Sequence, residues 1–352
     1  MKNYPFILVI LLLTSCSHLG DLVDKEKSDS YFISSSGQLS YSQNGNWFEL
    51  GSYKMDADPK TFKVLSTEIG EDKAFVFYLG IKQKEVDRNS FYMDKGIPKD
   101  KFSAYLLSDH LMKKIEGSDP KTFEYLAIDT LNHSWARDKN SYYLNVAKLK
   151  VDRNTFRFLN KQFSEDKDSV YANSEDGEFK SFLLNDGKMK TLNSKYIIDQ
   201  KAIYYVETSP KIKVLSTPFN PLQKVRFMNE DVLCGDDQVI FYGKAFKYKT
   251  VDVNSFQLYF PKDKFSLYAK DKNNVYYDGD IVAQAEVNTY VPLKFGFGKD
   301  AKNVYYKTNL LKGVDSKSFK EIETNGAVNG KKYTAVFGDK SGHRFDWDGN
   351  KI

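Results

Sequence analysis

One short pattern recurs along this chain and restricts the fold more than any other feature. It reads Asp, a variable residue, Lys or Asn, Ser or Thr, and Phe, and its six copies begin at Asp58, Asp87, Asp119, Asp152, Asp252 and Asp315. The first three intervals are 29, 32 and 33 residues, and the later two, 100 and 63, are close to three periods and two. A period of about 30 residues predicts a chain of similar small units that pack against their neighbours.

Weaker copies are expected in the gaps. EVNTY from Glu286 keeps the acid, the Asn, the Thr and an aromatic residue. SPKIKVLST from Ser209 resembles DPKTFKVLST from Asp58, and NDGKMKTL around Asp186 is a poorer copy. These copies predict about nine units between Asp58 and Asp315.

A second pattern alternates with the first. An Asp-Lys-type turn followed by apolar residues and Tyr occurs at Asp72, Asp100, Asp138, Asp166, Asp271 and Asp300, typically 13 to 19 residues after the preceding Phe pattern. In SLYAKDKNNVYYDGD two β-prone segments flank turn-forming residues, which predicts a hairpin, and Asp278-Gly279 predicts a second tight turn. In DPKTF the Asp can cap one helical turn and Pro59 suits its first position.

The predicted fold is therefore all-β, a tandem repeat of about nine short β-meander units. An open array and a closed propeller-like ring both suit short strands at this spacing. The Phe that ends each pattern should be buried at an equivalent place in every unit: Phe62, Phe91, Phe123, Phe156, Phe256 and Phe319.

The DKNNVYY stretch, from Asp271 to Tyr277, resembles the DKNYY repeat family of bacterial envelope and secreted proteins. The resemblance covers roughly residues 58–319, and the middle, 179–228, departs from it. It implies a repeat fold and carries no established activity.

The N-terminus predicts export and anchoring. Lys2, an apolar run and small residues form a signal peptide over residues 1–15. Leu13-Thr14-Ser15-Cys16 resembles the bacterial lipobox, which implies that Cys16 is lipidated and begins the mature chain. Residues 16–30 are polar and predict a tether, with the β-repeat domain over 31–352. Ser17 after the Cys favours delivery to the outer membrane of the cell envelope.

Charge and composition exclude one class of partner. The 352 residues carry a net charge of +5 from 52 basic and 47 acidic side chains, with both signs scattered along the chain. No basic stripe is present, so we expect no nucleic-acid partner. The expected partners are the membrane, through the lipid anchor, and an envelope protein or glycan.

Neither a catalytic centre nor a cofactor is predicted. Cys234 lies among apolar residues with no His nearby in sequence, which favours a buried thiol. The four His residues are scattered, and the Asp-rich turns lack the Gly and Glu positions of a calcium loop. We therefore expect no metal site.

Four Tyr pairs offer candidate binding residues. Neighbouring residues on a strand point to opposite faces, so one ring of each pair should face solvent. The candidates are the second members, Tyr143, Tyr205, Tyr277 and Tyr306. Such rings could stack on sugars or hold a peptide, and the alternative is that they cover each other and the Lys stems between repeats.

The expected function is that of a non-catalytic, lipid-anchored envelope protein with a binding or scaffolding surface. The alternative is an envelope enzyme that acts on glycans or peptides, with its site in the degenerate middle, 179–228.

Overall fold

The computed structural model describes residues 19–126, 135–174, 177–207, 211–248, 250–260, 262, 267–328 and 331–352, with the backbone alone over 323–328 and 331–335. The regular structure there is β-strand, apart from three single 3-10 turns at Gln43–Gly45, Arg88–Ser90 and Lys294–Gly296. The predicted all-β fold class is confirmed. Within these ranges, no helix has the length and apolar character needed to cross a membrane.

The strands follow one another as antiparallel meanders, which we number as units 1 to 10. Unit 1 contains β1 (Asp21–Leu22), β2 (Tyr31–Ile33), β3 (Leu39–Tyr41) and β4 (Tyr53–Lys54). Unit 2 contains β5 (Lys63–Val64), β6 (Ile69–Glu71), β7 (Val76–Tyr78) and β8 (Ile81–Gln83). Unit 3 contains β9 (Tyr92–Asp94), β10 (Ile97–Lys99), β11 (Tyr105–Ser108) and β12 (Leu111–Lys114), as two hairpins that are joined by the Lys99–Ala104 bridge. Unit 4 contains β13 (Glu124–Tyr125), β14 (Trp135–Arg137), β15 (Tyr142–Leu144) and β16 (Ala147–Lys148).

The next three units include the degenerate middle of the sequence. Unit 5 contains β17 (Arg157–Phe158), β18 (Phe163–Glu165), β19 (Ser169–Asn173) and β20 (Phe179–Leu184). Unit 6 contains β21 (Lys190–Thr191), β22 (Ile197–Ile198), β23 (Ala202–Glu207) and β24 (Lys213–Pro218). Unit 7 contains β25 (Arg226–Phe227), β26 (Val232–Cys234), β27 (Val239–Phe241) and β28 (Lys244–Ala245). The sequence pattern lapses here, but the four-stranded meander continues.

The last three units complete the series. Unit 8 contains β29 (Gln257–Leu258), β30 (Tyr268–Lys270), β31 (Val275–Tyr277) and β32 (Asp280–Ile281). Unit 9 contains β33 (Val291–Pro292), β34 (Phe297–Lys299), β35 (Val304–Tyr306) and β36 (Asn309–Leu310). Unit 10 contains β37 (Lys320–Val328), β38 (Lys331–Gly338) and β39 (Arg344–Phe345).

The unit count agrees with the sequence period. Among the described residues, nine units follow Asp58, as the repeat predicts, and unit 1 precedes them. Each sheet is open, and none in the described ranges closes on itself. The chain divides into two compact bodies, with units 1 to 4 in the body up to Asn154 and units 5 to 10 in the body from Thr155.

Within each body the hydrophobic cores connect neighbouring units. In the C-terminal body one cluster joins units 5 and 6, a second joins 6 and 7, a third joins 7 and 8, and two more continue to unit 10. In the N-terminal body one cluster spans units 1 to 3 and another joins units 3 and 4. A sheet of two-residue and three-residue strands has one small apolar face, so burial against the neighbours supplies its stability.

The repeat Phe residues lie in these cores, as expected. Five of them are buried: Phe62, Phe123, Phe156, Phe256 and Phe319. Phe91 is only partly buried, at the edge of the cluster that spans units 1 to 3.

Two sequence predictions need correction. The tether was placed over 16–30, but Asp21–Leu22 pairs with β2 and the Ser28 hydroxyl donates to the Thr67 carbonyl at 2.9 Å, so the folded body begins before residue 31. SPKIKVLST was interpreted as the start of a unit. Lys213–Pro218 is instead the last strand of unit 6, and residues 208–210 lie outside the described ranges.

Candidate functional site

The Asp of the DKN turn is the centre of a hydrogen-bonded cluster, best seen in unit 8. Asp271 is buried, and its Oδ1 accepts the backbone N–H groups of Asn273 and Asn274, both at 2.7 Å. Its Oδ2 accepts the Tyr276 hydroxyl at 2.8 Å and the backbone N–H of Asp252 at 2.8 Å. Four hydrogen bonds satisfy this buried carboxylate, as its burial requires.

The capped turn before the first strand completes the cluster. The Asp252 carboxylate accepts the Ser255 N–H and hydroxyl, at 2.9 and 2.7 Å. The Ser255 hydroxyl oxygen in turn accepts the backbone N–H of Lys272 at 2.9 Å, and the Lys272 ammonium lies 2.6 Å from Asp252. We call this assembly, a capped turn joined to an Asp and to the Tyr five residues after it, the clasp.

The Asp–Tyr pair at the centre of the clasp recurs along the chain. A Tyr hydroxyl donates to the Asp five residues earlier in six units, in the pairs Asp100–Tyr105, Asp138–Tyr143, Asp166–Tyr171, Asp199–Tyr204, Asp271–Tyr276 and Asp300–Tyr305. Burial and the carboxylate raise the pKa of both Tyr171 and Tyr204 to about 12, so the phenols stay protonated as donors. The repeated Asp, Lys, Ser, Thr and Tyr residues are thus used in building the units.

The clasp explains why two binding candidates were wrong as outward-facing rings. Tyr143 stands five residues after Asp138, so its ring is buried and its hydroxyl donates to that carboxylate and to the Gly117 carbonyl. Tyr205 is also buried, and its hydroxyl donates to Asp231 of the next unit at 2.8 Å. The pair pattern does not fix which Tyr lies five residues after the Asp, so it could not fix the orientation.

The other two candidates, Tyr277 and Tyr306, are partly exposed and lie on either side of Gly296. A Cβ on Gly296 would stand 3.3 Å from the Tyr277 hydroxyl and 3.5 Å from the Tyr306 ring. The Tyr306 hydroxyl donates to the Trp347 carbonyl at 3.4 Å, and the Lys307 ammonium lies over its ring. The Tyr277 hydroxyl has no hydrogen-bond partner in the described part of the chain.

A groove of about 750 Å³ opens beside Tyr277, between units 8, 9 and 10. Its lining is mainly apolar and includes the partly exposed rings of Phe260 and Phe295. Three lysines and one acid, Lys294, Lys299, Lys320 and Glu321, supply its charged groups. Apolar concave surfaces with few polar groups are the usual form of ligand sites.

Phe295 combines a left-handed backbone conformation with an exposed aromatic side chain. It has a φ of 56° and a ψ of 31°, a left-handed conformation that costs a non-glycine residue free energy, and 45% of its surface is exposed. The exposed Trp347 packs against it edge-on, with ring centroids 5.4 Å apart. Phe295 was not among the candidates predicted from the sequence, although an aromatic residue beside Gly in a hairpin turn indicates an exposed ring.

The profile of the DKNYY family matches residues 41–175 and 177–294, more than half of the chain. The chain belongs to the DKNYY family. A search of curated proteins and a search of solved structures each found no match. In this DKNYY chain the family match ends just before Phe295 and so includes units 2 to 8 entirely.

The reactive-group candidate of this DKNYY chain, Cys234, lies in β26. Cys234 is buried, as predicted, and burial raises the pKa of its thiol to about 11, so the nucleophilic thiolate is scarce at neutral pH. No group of three or more potential metal-ligating side chains occurs in the described ranges. Cys16, the predicted lipidation site, lies outside the described residues.

Proposed function

We propose that this DKNYY-family chain is a non-catalytic, lipid-anchored protein of the bacterial cell envelope whose β-repeat body is a binding or scaffolding surface. One observation carries the proposal: the repeated polar residues are used within the clasps, and units 8 and 9 expose the aromatic rings of Phe260 and Phe295. Catalysis needs polar groups held free for a substrate, whereas exposed rings beside a groove suit binding.

The anchoring part of the proposal rests on Lys2, the apolar run and LTSC, and favours the outer membrane. Metabolic labelling with an alkyne fatty acid, followed by membrane fractionation, tests it. We expect the wild type to be labelled and membrane-bound, and the Cys16→Ser variant to be neither. Equal labelling of the two would contradict the anchor.

The binding part is tested by crosslinking in intact envelopes, with a hydrolase screen on peptidoglycan and peptides alongside. We expect a crosslinked partner and no turnover. The envelope-enzyme alternative predicts turnover that one substitution within 179–228 abolishes while folding is kept. In that segment Asp199 and Tyr204 are already engaged in a clasp, so their substitution is a test of stability instead.

A further inference from the structure

We infer that the groove beside Tyr277 binds an amphiphile with an apolar chain and a carboxylate head, which occupies in unit 9 the position that the Asp94 carboxylate holds in unit 3. The inference deepens the proposed binding role and rests on it. It follows from a comparison of the first hairpins of units 3 and 9, which pair in the same register but differ in their loops, residues 95–96 in unit 3 and 294–296 in unit 9.

In unit 3 the hairpin neutralises its own buried cation. Lys99 is 1% exposed, and its ammonium donates to the Phe123 carbonyl at 2.9 Å and pairs with the Asp94 carboxylate at 2.7 Å. Asp94 lies opposite Ile97 across the hairpin. A buried ammonium is costly without such a partner.

In unit 9 the corresponding cation, Lys299, is only partly buried and lacks the carboxylate. The Lys299 ammonium donates to the carbonyls of Ser316 and Phe319, at 3.0 and 2.8 Å, and no carboxylate in the described residues lies within ion-pair distance of it. The residue opposite Phe297, where unit 3 has Asp94 opposite Ile97, is Leu293, whose N–H donates to the Phe297 carbonyl. An ammonium has three donors, so one remains for a ligand.

The hairpin turn of unit 9 is also less polar than the hairpin turn of unit 3. Unit 3 has Lys95 and Gly96 at φ values of 50° and 81°, and unit 9 has Phe295 and Gly296 at 56° and 80°. A polar side chain at the left-handed position is thus replaced by an exposed aromatic ring that lines the groove. Phe295 and Leu293 together give unit 9 an apolar surface beside the Lys299 ammonium. In unit 3 the corresponding hairpin is polar, and its cation is paired with Asp94.

The groove chemistry selects among ligand classes. A sugar needs many hydrogen-bonding partners, and the lining offers few uncommitted polar groups, namely the Tyr277 hydroxyl, the exposed Lys320 ammonium and the third Lys299 donor. An extended peptide would need the edge of unit 9, where Pro292 in the edge strand β33 has no N–H to donate. The lining has three lysines against one Glu, so an anionic head fits its charge. An apolar chain with one carboxylate matches both the apolar lining and its excess of positive charge.

The test is calorimetric titration of the full chain with decanoate, and with decanol as the uncharged match. We expect saturable binding of decanoate, and binding of decanol about tenfold or more weaker, as expected for the loss of one charge-assisted hydrogen bond. Leu293→Asp restores the unit 3 carboxylate and should weaken decanoate by a similar factor while affecting decanol little. Phe295→Lys, the unit 3 residue, should weaken both ligands.

Phe48→Ser, which removes an exposed ring from unit 1, is the control and should change the binding of neither ligand. Urea unfolding of each variant separates loss of binding from loss of folding, and Phe295→Lys keeps the test open if Leu293→Asp unfolds. Equal affinity for decanoate and decanol, or decanoate binding that survives both substitutions, would overturn the inference. So would binding of chitotriose or of an acidic, phenylalanine-containing peptide in place of decanoate. Hydrolysis of p-nitrophenyl decanoate would instead overturn the non-catalytic role, whereas loss of decanoate binding with an envelope crosslink retained would leave that role standing.

Discussion

A buried carboxylate is an expensive group to place in a small β-unit, and this chain places one in most of its units. Asp271 shows how the cost is offset, because backbone N–H groups and the Tyr276 hydroxyl satisfy both of its oxygens. The same contacts fix the turn between β30 and β31 and connect it to the capped turn at Asp252. The repeated polar residues therefore specify geometry, and the apolar residues supply most of the burial.

Removing one hydroxyl from a clasp should measure its strength. Tyr276→Phe keeps the buried ring and leaves Asp271 Oδ2 with the Asp252 N–H as its remaining partner. We expect the free energy of unfolding to fall by about 1.5 to 3 kcal/mol, the usual contribution of a hydrogen bond to a charged group. Urea denaturation followed by circular dichroism gives the value.

The adjacent residue provides the matched control. Tyr277→Phe removes a hydroxyl that has no hydrogen-bond partner in the described ranges, so its effect should be near zero. Equal losses for the two variants would mean that the clasp hydrogen bond contributes little and that the tyrosines matter only through packing.

Acid should weaken the clasps in a defined pH range. The ammonium of Lys272 and the hydroxyl of Ser255 lower the pKa of Asp252 to about 2. Burial alone would raise the pKa of Asp339. Hydrogen bonds from the Asp315 N–H and the His343 ring outweigh that effect and lower the pKa to about 2. An unfolded Asp titrates near about 3.9, so these groups stabilise the fold above that pH, and the contribution is lost as the pH falls towards 2.

We therefore expect a free energy of unfolding that is nearly constant from about pH 7 to pH 5 and declines between about pH 4 and pH 2. Urea denaturation at a series of pH values measures it. In the Asp252→Asn variant the deficit relative to wild type should shrink as the pH falls, since the wild-type carboxylate is then protonated as well. A deficit that stays constant down to pH 2 would show that the charge of Asp252 is not what stabilises the turn.

At the scale of the element, unit 7 lacks the Asp and the Tyr of the clasp but keeps the contact between its two turns with different residues. Gly235 stands where other units have the buried Asp, and Gln223 supplies the acceptor that Ser or Thr supplies elsewhere. The Gln223 side-chain oxygen accepts the Asp236 N–H at 3.1 Å, and its amide nitrogen donates to Asp237 at 2.6 Å. A Cβ on Gly235 would stand 2.0 Å from that oxygen and 3.0 Å from the Phe219 ring.

Restoring the repeat residue in unit 7 alone should be harmful. Gly235→Asp forces Gln223 out of its place, and we expect a loss of about 1 to 3 kcal/mol, the usual cost of overpacking. Combining it with Gln223→Ser recreates the Asp and Ser of the other units and should recover part of that loss. Thermal unfolding of Gly235→Asp, of Gln223→Ser and of the double variant gives the coupling free energy between the two positions. If the two single effects simply add in the double variant, Gln223 and Gly235 do not replace the Ser and Asp of the other units as a pair.

Unit 7 also shows why some units could be predicted from the sequence and others could not. The spacing of DVNSF and DKNNVYY predicted the strands and turns of unit 8, because each residue there has a local geometric role. The start of unit 7 at Asn220 and the clasp at Asp199 escaped notice, and Ser209 was chosen in their place. A side chain such as Gln223 can replace a Thr only through a contact across the unit, which spacing does not reveal. Phe295 was missed for the same reason, since its exposure depends on neighbouring units.

At the scale of the whole molecule, the period predicted nine units but not how their cores are shared. Each core cluster of the C-terminal body draws on neighbouring units only, so no single core spans that body in the described residues. Such an arrangement predicts stability that is approximately a sum of unit terms and interface terms between neighbours. The consequence is local rather than global unfolding after damage to one core.

That consequence can be measured by hydrogen exchange with mass spectrometry. Phe256 is buried in the cluster that joins units 7 and 8, and Phe256→Ala should cost about 3 to 5 kcal/mol there. We expect faster amide exchange in units 7 and 8 and little change in unit 5. The control, Phe319→Ala, removes the equivalent ring from the cluster of units 9 and 10, so the fast region should move to those units. If both variants instead accelerated exchange evenly from unit 5 to unit 10, the C-terminal body would unfold as one cooperative block, and neighbour-by-neighbour stacking would not describe its stability.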